Sequence, residues 1–327
     1  MRGVLVVNPQ ATTTSPRVMD VLVHALADEV DLRTVRTEHR GHAREIAQQA
    51  QAEGVDLVCV LGGDGTVNEV INGLMANRPA GSRHAGDSAD PSGAALAIIP
   101  GGSANVAARA LGLPADPVEA TGEILQALRE RRRRIIGLGT IDVTPWGGER
   151  LPPTWFIANA GLGVDAEIIA AMEQARAKGH EATPTRYLVT TLRQFLWHTD
   201  RREPALTVTM GDTTIEGVFV AILQNTSPWT YLGSLPITPC PDASFETGID
   251  LFAVRRMSVA TALRLARRMI AGSRAGSTAR SLTIAHDLQC LAVTASRPVA
   301  LQVDGEGLGT VSRIEVRSLP RALAVIS

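Results

Sequence analysis

Short apolar runs alternate with helical spacing through the first third of the chain. Gly3–Val7, Val30–Val35, Asp56–Leu61 and Ala95–Ile99 read as strands. Each precedes a stretch with apolar residues at three- and four-residue intervals: Arg17–Leu26, Gly41–Glu53, Thr66–Met75 and Ala104–Leu111. In Thr66–Met75, Val67, Val70, Ile71 and Leu74 share one face. Strands alternating with helices predict a parallel sheet covered on both sides. Asn77–Gly93, rich in Gly, Ser, Ala, Pro and Asp, carries no period and reads as a surface insertion.

From Ile135 the pattern changes. Strands are predicted at Ile135–Val143, Thr154–Ala158, Leu206–Met210, Thr214–Leu223, Gly248–Val254, Ser281–Ala285, Leu291–Ala295, Val299–Val303 and Arg313–Arg317, with a last short one at Ala322–Ile326. Helical patterns interrupt them at Ala166–Arg176, Arg186–Trp197 and Ala260–Ile270. Strand following strand predicts a mainly antiparallel, sandwich-like second domain. The expected division is an α/β domain over 1–135 and a β-rich domain over 136–316.

Composition narrows the function. The 327 residues exceed one typical core, and 45% hydrophobic with 3% aromatic means aliphatic cores. A net charge of −1 argues against a nucleic-acid binder. Three separated cysteines lack metal-ligand spacing and suit a reducing compartment. The N-terminal apolar run is too short for a signal peptide, and no apolar stretch is long enough to span a bilayer. A cytoplasmic protein is expected.

The chemistry concentrates in four motifs. Gly62-Gly63-Asp64-Gly65-Thr66 lies between a strand and a helix. Its glycines permit a tight turn, and N–H groups there with the helix N-terminus suit phosphate oxygens. The plain alternative is a strand-to-helix turn capped by Thr66. No Lys-Ser/Thr follows, so this is not the P-loop of NTPases. An acid inside a phosphate loop implies a cation between them, so Asp64 is expected to face Mg²⁺. Pro100-Gly101-Gly102-Ser103-Ala104-Asn105 repeats the strand-turn-helix arrangement, with Ser103 as a helix cap or phosphate donor. Asn8 ends the first strand on the same rim, and Thr37 follows the second. Leu301-Gln302-Val303-Asp304-Gly305-Glu306 is a hairpin turn, or a general base with a metal-side carboxylate.

Together these motifs resemble the diacylglycerol kinase catalytic family, which includes bacterial diacylglycerol, sphingosine and ceramide kinases. The resemblance extends to Asn159-Ala160-Gly161-Leu162-Gly163 and Asn225-Thr226-Ser227-Pro228-Trp229 and covers nearly the whole chain. It implies a phosphofructokinase- or NAD-kinase-like nucleotide domain, a β-sandwich lipid domain, and a tail (317–327) returning to the first domain. It implies ATP and Mg²⁺ as cofactors and diacylglycerol as substrate. The nucleotide contacts fall on Asn8, Thr37, Gly63 to Thr66 and Ser103, and the motifs extend the set to Gly62, Asn68, Glu69, Gly102 and Asn105. The catalytic residues expected are Asp304, Glu306 and Asp64, with Asp304 favoured as base and Asp64 and Glu306 beside the catalytic metal; the two roles in the triplet are interchangeable on sequence alone. One departure is at Phe245-Glu246-Thr247-Gly248, where Thr247 stands in place of an acid that helps many bacterial members hold a structural Mg²⁺. The alternatives are a sphingoid-base or ceramide kinase, a NAD-kinase-like enzyme, or a non-catalytic lipid or nucleotide sensor. Relatives of this kind are commonly dimers.

Two basic clusters bear on the substrate. Arg129 to Arg134 lies at the expected domain junction; Arg255, Arg256, Arg264, Arg267 and Arg268 surround a helical pattern carrying Leu263, Leu265, Met269 and Ile270. Each is either a solvated face or a dock for anionic lipid, placing the protein at the inner face of the cell membrane.

Overall fold

The computed structural model describes residues 1–11, 16–76, 93–163, 203–273 and 280–327. The helical patterns at 166–176 and 186–197, and nearly all of the 77–93 insertion, lie outside them. The chain forms two compact units, Met1–Leu138 with Pro320–Ser327, and Gly139–Leu319.

The first unit is built from β1 (Arg2–Val7), α1 (Pro16–Ala27), β2 (Asp31–Arg36), α2 (His42–Ala52), β3 (Leu57–Gly62), α3 (Asp64–Leu74), β4 (Ala95–Pro100), α4 (Val106–Ala110) and α5 (Pro117–Arg129). Its strands are parallel in the order β2-β1-β3-β4, and Val325 pairs in parallel with Leu96 beyond β4. β3 and β4 are buried along their whole length, which is why both read as unbroken apolar runs. α2 and α3 meet at Gly73, where an added Cβ would collide with the Arg44 carbonyl.

The sequence pattern missed α5. Its start is marked by Asp116, whose carboxylate accepts from the N–H groups of Val118 (2.8 Å) and Glu119 (3.0 Å), followed by Pro117. The basic run at its end is partly occupied: Arg129 pairs with Glu29, and Arg132 with Glu130 and the Ser327 carbonyl.

The second unit takes in β5 (Arg134–Pro145) from Gly139 onward, then β6 (Thr154–Phe156), β7 (Asn159–Leu162), β8 (Leu206–Met210), β9 (Thr213–Val218), β10 (Val220–Gln224), β11 (Thr230–Leu232), β12 (Leu235–Ile237), β13 (Ile249–Val254), α6 (Val259–Ala271), β14 (Leu282–Leu288), β15 (Cys290–Val303) and β16 (Glu306–Val325), which leaves the unit at Leu319. Antiparallel pairing runs β14-β13-β10-β7-β15-β16, with β8 on β15 and β9 on β8. Phe156, Leu162, Val208, Leu223, Leu251, Val293, Leu301 and Ile314 belong to its main core.

Several boundaries differ from the expected ones. The 214–223 segment is two strands, whereas 291–303 is one and 306–325 is one. Irregular pairing between Thr294 and Val299 carries β15 across Arg297-Pro298, which interrupts the apolar pattern without ending the strand.

Candidate functional site

The first unit gathers the predicted phosphate-handling residues at the ends of β3 and β4. Strand pairing continues to Gly62 opposite Pro100, and the Gly101 N–H donates to the Gly62 carbonyl at 2.8 Å. The two glycine turns then touch. A Cβ on Gly102 would lie 2.7 Å from Gly63 Cα, and one on Gly63 would lie 3.3 Å from Gly102 Cα. Gly102 is therefore required for the turns to pack on each other, and a side chain at Gly63 would force its neighbour to give way.

Side chains lock the pair. Asp64 Oδ1 accepts from the Ala107 N–H at 3.1 Å, so the acid in the first turn caps the helix after the second. Asn105, left-handed at φ 49°, accepts from the Gly102 N–H (2.8 Å) and donates to the Gly102 carbonyl (2.7 Å). Asn105 occupies the N-cap position of α4 that Ser103 was expected to hold; Ser103 is exposed in the turn. Gly63, rather than Thr66, is the N-cap of α3, which places Asp64 and Gly65 in its first turn. Thr66 Oγ1 accepts from Asn8 Nδ2 at 2.9 Å, bringing the end of β1 to the same place. Thr37 follows β2, its N–H donating to the Val7 carbonyl.

Two residues of the expected set have partners on the helices. Glu69 accepts from the N–H groups of Gly41 (2.8 Å) and Ala43 (3.2 Å), so both its oxygens serve the start of α2. Asn68 is buried and accepts from Asn72 Nδ2 through its side-chain oxygen.

The second unit carries the Asp304-Gly305-Glu306 triplet. Val303 pairs with Glu306, so Asp304 and Gly305 form a two-residue hairpin loop, both left-handed at φ 46° and 81°. The hairpin reading holds, and Asp304 is only 5% exposed. Its Oδ2 accepts from the Ile157 N–H (2.9 Å), and its Oδ1 from those of Ala158 (2.9 Å) and Asn159 (3.0 Å). Three donors fix the orientation of this carboxylate.

Sequence reasoning did not assign the polar side chains around it. Gln302 Nε2 donates to Asn159 Oδ1 (2.9 Å) while Gln302 Oε1 accepts from the Gly305 N–H (2.8 Å). Asn159 Nδ2 donates to the Trp229 carbonyl, and Asn225 Nδ2 to the Ile157 carbonyl. All three side chains belong to buried residues. The available signal was Gln302 itself, a polar residue between Leu301 and Val303 at the end of the strand where all three are buried.

At the stretch that differs from the bacterial metal segment, Glu246 accepts from Ser244 Oγ and Thr247 Oγ1 donates to the Ser244 carbonyl. Buried Asp250 accepts from the Asp287 N–H and lies 2.7 Å from His286 Nδ1. The bond to Asp250 raises the His286 pKa; burial raises that of Asp250, outweighing the bond. Among the described residues no group of three or more His, Cys, Asp or Glu is placed to hold a metal ion. The acids of this stretch are engaged with local partners, and an imidazole stands beside Asp250.

Comparison with known proteins matches the chain in two segments. Residues 2–137 match the diacylglycerol kinase catalytic domain, and residues 158–327 match the YegS C-terminal NAD kinase beta sandwich-like domain. A Xanthomonas euvesicatoria protein named "Probable lipid kinase YegS-like" is 27% identical over 283 residues, covering 85% of this chain and 80% of its own. A solved diacylglycerol kinase structure from Bacillus anthracis superposes with a TM-score of 0.69 at 19% identity, covering 99% of this chain and 96% of that one. An NAD kinase from Archaeoglobus fulgidus in complex with ATP gives a TM-score of 0.50 at 9% identity, covering 100% of this chain and 94% of that one. At such identities the structural likenesses speak of fold alone.

Proposed function

The chain belongs to the family of lipid kinases that join a diacylglycerol kinase catalytic domain to a YegS C-terminal, NAD kinase beta sandwich-like domain, and from that membership we propose that it transfers the terminal phosphoryl group of ATP to the free hydroxyl of diacylglycerol, giving phosphatidic acid. The observation that carries the reading is the pair of interlocked glycine turns, with Asn8 and Thr66 beside them. Main-chain N–H groups at strand ends and the N-terminus of α3 suit a polyphosphate.

The residues present fit ATP, since Gly63 and Gly102 leave the main chain of both turns unscreened by side chains. They are also compatible with a catalytic Mg²⁺. That ion characteristically takes one or two carboxylates and completes its shell with phosphates and water, so no dense acidic cluster is required. Asp64 can donate a lone pair to it while still accepting from Ala107, because a carboxylate has about four acceptor sites. When bound, Mg²⁺ would neutralise charge on the transferring phosphoryl group.

Phosphorylating a neutral alcohol requires its proton to be accepted as the new bond forms. Asp304 takes that role, its carboxylate aimed by Ile157, Ala158 and Asn159 and its turn braced by Gln302. The test is transfer from labelled ATP to diacylglycerol, ceramide, sphingosine and NAD in parallel. Labelled phosphatidic acid is the expected product. Label in ceramide or sphingosine alone moves the substrate within lipid kinases; label in NAD alone, or in nothing, overturns the reading.

A further inference from the structure

Helix α6 (Val259–Ala271) was read from sequence as amphipathic, with Leu263, Leu265, Met269 and Ile270 as its apolar residues. The fold divides that set. Leu265 is buried and Met269 packs with it in a cluster containing Ile222, Phe252 and Val254. Leu263 and Ile270 instead face outward, 63% and 48% exposed. They are seven residues apart, so both lie on one side of the helix, with exposed Ala266 between them.

The charge along this segment has one sign. Arg264 and Arg267 are exposed on its flank, and Arg255 and Arg256 are exposed just before the helix. No acidic residue occurs from Leu251 to Ser273. Arg268 differs from the others: it is half-buried, its charge is felt by buried Cys240, and it belongs to the inner side.

We propose that the outer face of α6 docks on an anionic lipid surface, with Leu263 and Ile270 entering the headgroup region and Arg255, Arg256, Arg264 and Arg267 meeting lipid phosphates. The proposal rests on the reading that the substrate resides in a membrane, and it supplies a means of reaching it. Among the described residues no helix is long and apolar enough to cross a bilayer. Exposed branched apolar side chains flanked by arginines match an interface that is anionic outside and hydrocarbon beneath. A second copy of the chain fits poorly, because a two-fold contact through this face would set arginines against arginines. A nucleic acid would meet the arginines but offer nothing to Leu263 and Ile270.

The test is sedimentation with vesicles of phosphatidylcholine alone and of phosphatidylcholine with phosphatidylglycerol, without ATP. The full-length protein should bind the anionic vesicles, and binding should fall with salt as the screening length shrinks from about 10 Å at 0.1 M to about 3 Å at 1 M. Each arginine contributes about 1 kcal/mol at such a surface, or about fivefold in partition. The pair R264E/R267E should therefore lose at least about 25-fold. L263S/I270S should lose about 25-fold at unchanged charge, each residue forfeiting roughly 1 kcal/mol of apolar transfer. Both variants replace exposed residues, and unchanged melting curves would verify their folds; R255E/R256E, outside the helix, gives the same readout should either fail to fold.

Phosphorylation of a short-chain, water-soluble diacylglycerol should survive in all of them. Equal binding to both vesicle types, absent binding, or variants that bind like the parent would overturn the proposal. So would displacement from vesicles by a DNA oligonucleotide at equal charge while L263S/I270S binds normally. Vesicle binding with no phosphoryl transfer to any lipid would leave docking standing and remove the kinase reading, so the two fail separately.

Discussion

Replacing Asp304 with Asn separates its two roles. The carboxylate accepts from Ile157 through Oδ2 and from Ala158 and Asn159 through Oδ1. An amide has one oxygen. If it takes the place of Oδ1, its NH₂ faces the Ile157 N–H, donor against donor, in a site 5% exposed. One charge-assisted bond is lost and two are weakened. A hydrogen bond to a charged group is worth about 1.5–3 kcal/mol, and an unsatisfied buried donor costs about 1–3 kcal/mol. Asn tolerates the left-handed φ of 46°, so no backbone strain is added. A loss of about 2–3 kcal/mol is expected. In a unit of roughly 180 residues this lowers the midpoint by about 5–10 °C. Loss of a general base lowers turnover by about 10²–10⁴-fold. Melting should be followed by near-ultraviolet circular dichroism, and rates measured at saturating ATP well below the variant's midpoint. An unchanged midpoint would refute the three-donor account. A lowered midpoint with turnover retained would assign Asp304 to structure alone and transfer the base role to Glu306, for which Glu306→Gln is the companion variant.

Gly102→Ala places a methyl 2.7 Å from Gly63 Cα, so the turns must separate; ATP affinity by calorimetry should fall about tenfold or more, and unchanged affinity would mean the turns do not shape the nucleotide site. Glu69→Ala frees two N–H groups at the start of α2 and should cost about 1–2 kcal/mol in denaturant melts while leaving the ATP affinity of the folded protein within a factor of a few; a selective loss of affinity would instead restore Glu69 to the nucleotide site. His286→Gln tests the pair with Asp250. Because the His286 pKa is raised in the fold, its contribution is complete below the unfolded value of about 6.5 and is lost as pH rises through the folded value. The stability gap between parent and variant should therefore shrink as pH rises from about 6 to 8, staying under about 1 kcal/mol since the ring is 46% exposed; a gap that widens with pH would refute the assignment.

The sequence by itself determined the elements whose cause is local. β1, β3 and β4 read as apolar runs because both faces of a parallel sheet are covered, and the alternation with helices sufficed for the α/β class. The glycine turns were legible because few residues other than glycine allow so close an approach of main chain. Asp304-Gly305 was legible as a turn, since both its residue types accept a left-handed backbone. Helix α5 was also written locally, in Asp116-Pro117, but its small-residue face at Ala120 and Ala127 gave a weak apolar period.

Tertiary structure decided what each polar side chain does. The acid of the first glycine turn meets a helix 43 positions away, and Asp304 meets donors 145 to 147 positions away. Glu69 lies beside the glycine motif in sequence and serves α2 in space, while Leu265 and Leu263 sit on one helix and face opposite ways. Periodicity reports how a segment is buried, because burial recurs with the backbone's own repeat. It says nothing of which donor a given oxygen will find, since that partner comes from chain folded back from far away, and only packing brings the two within 3 Å.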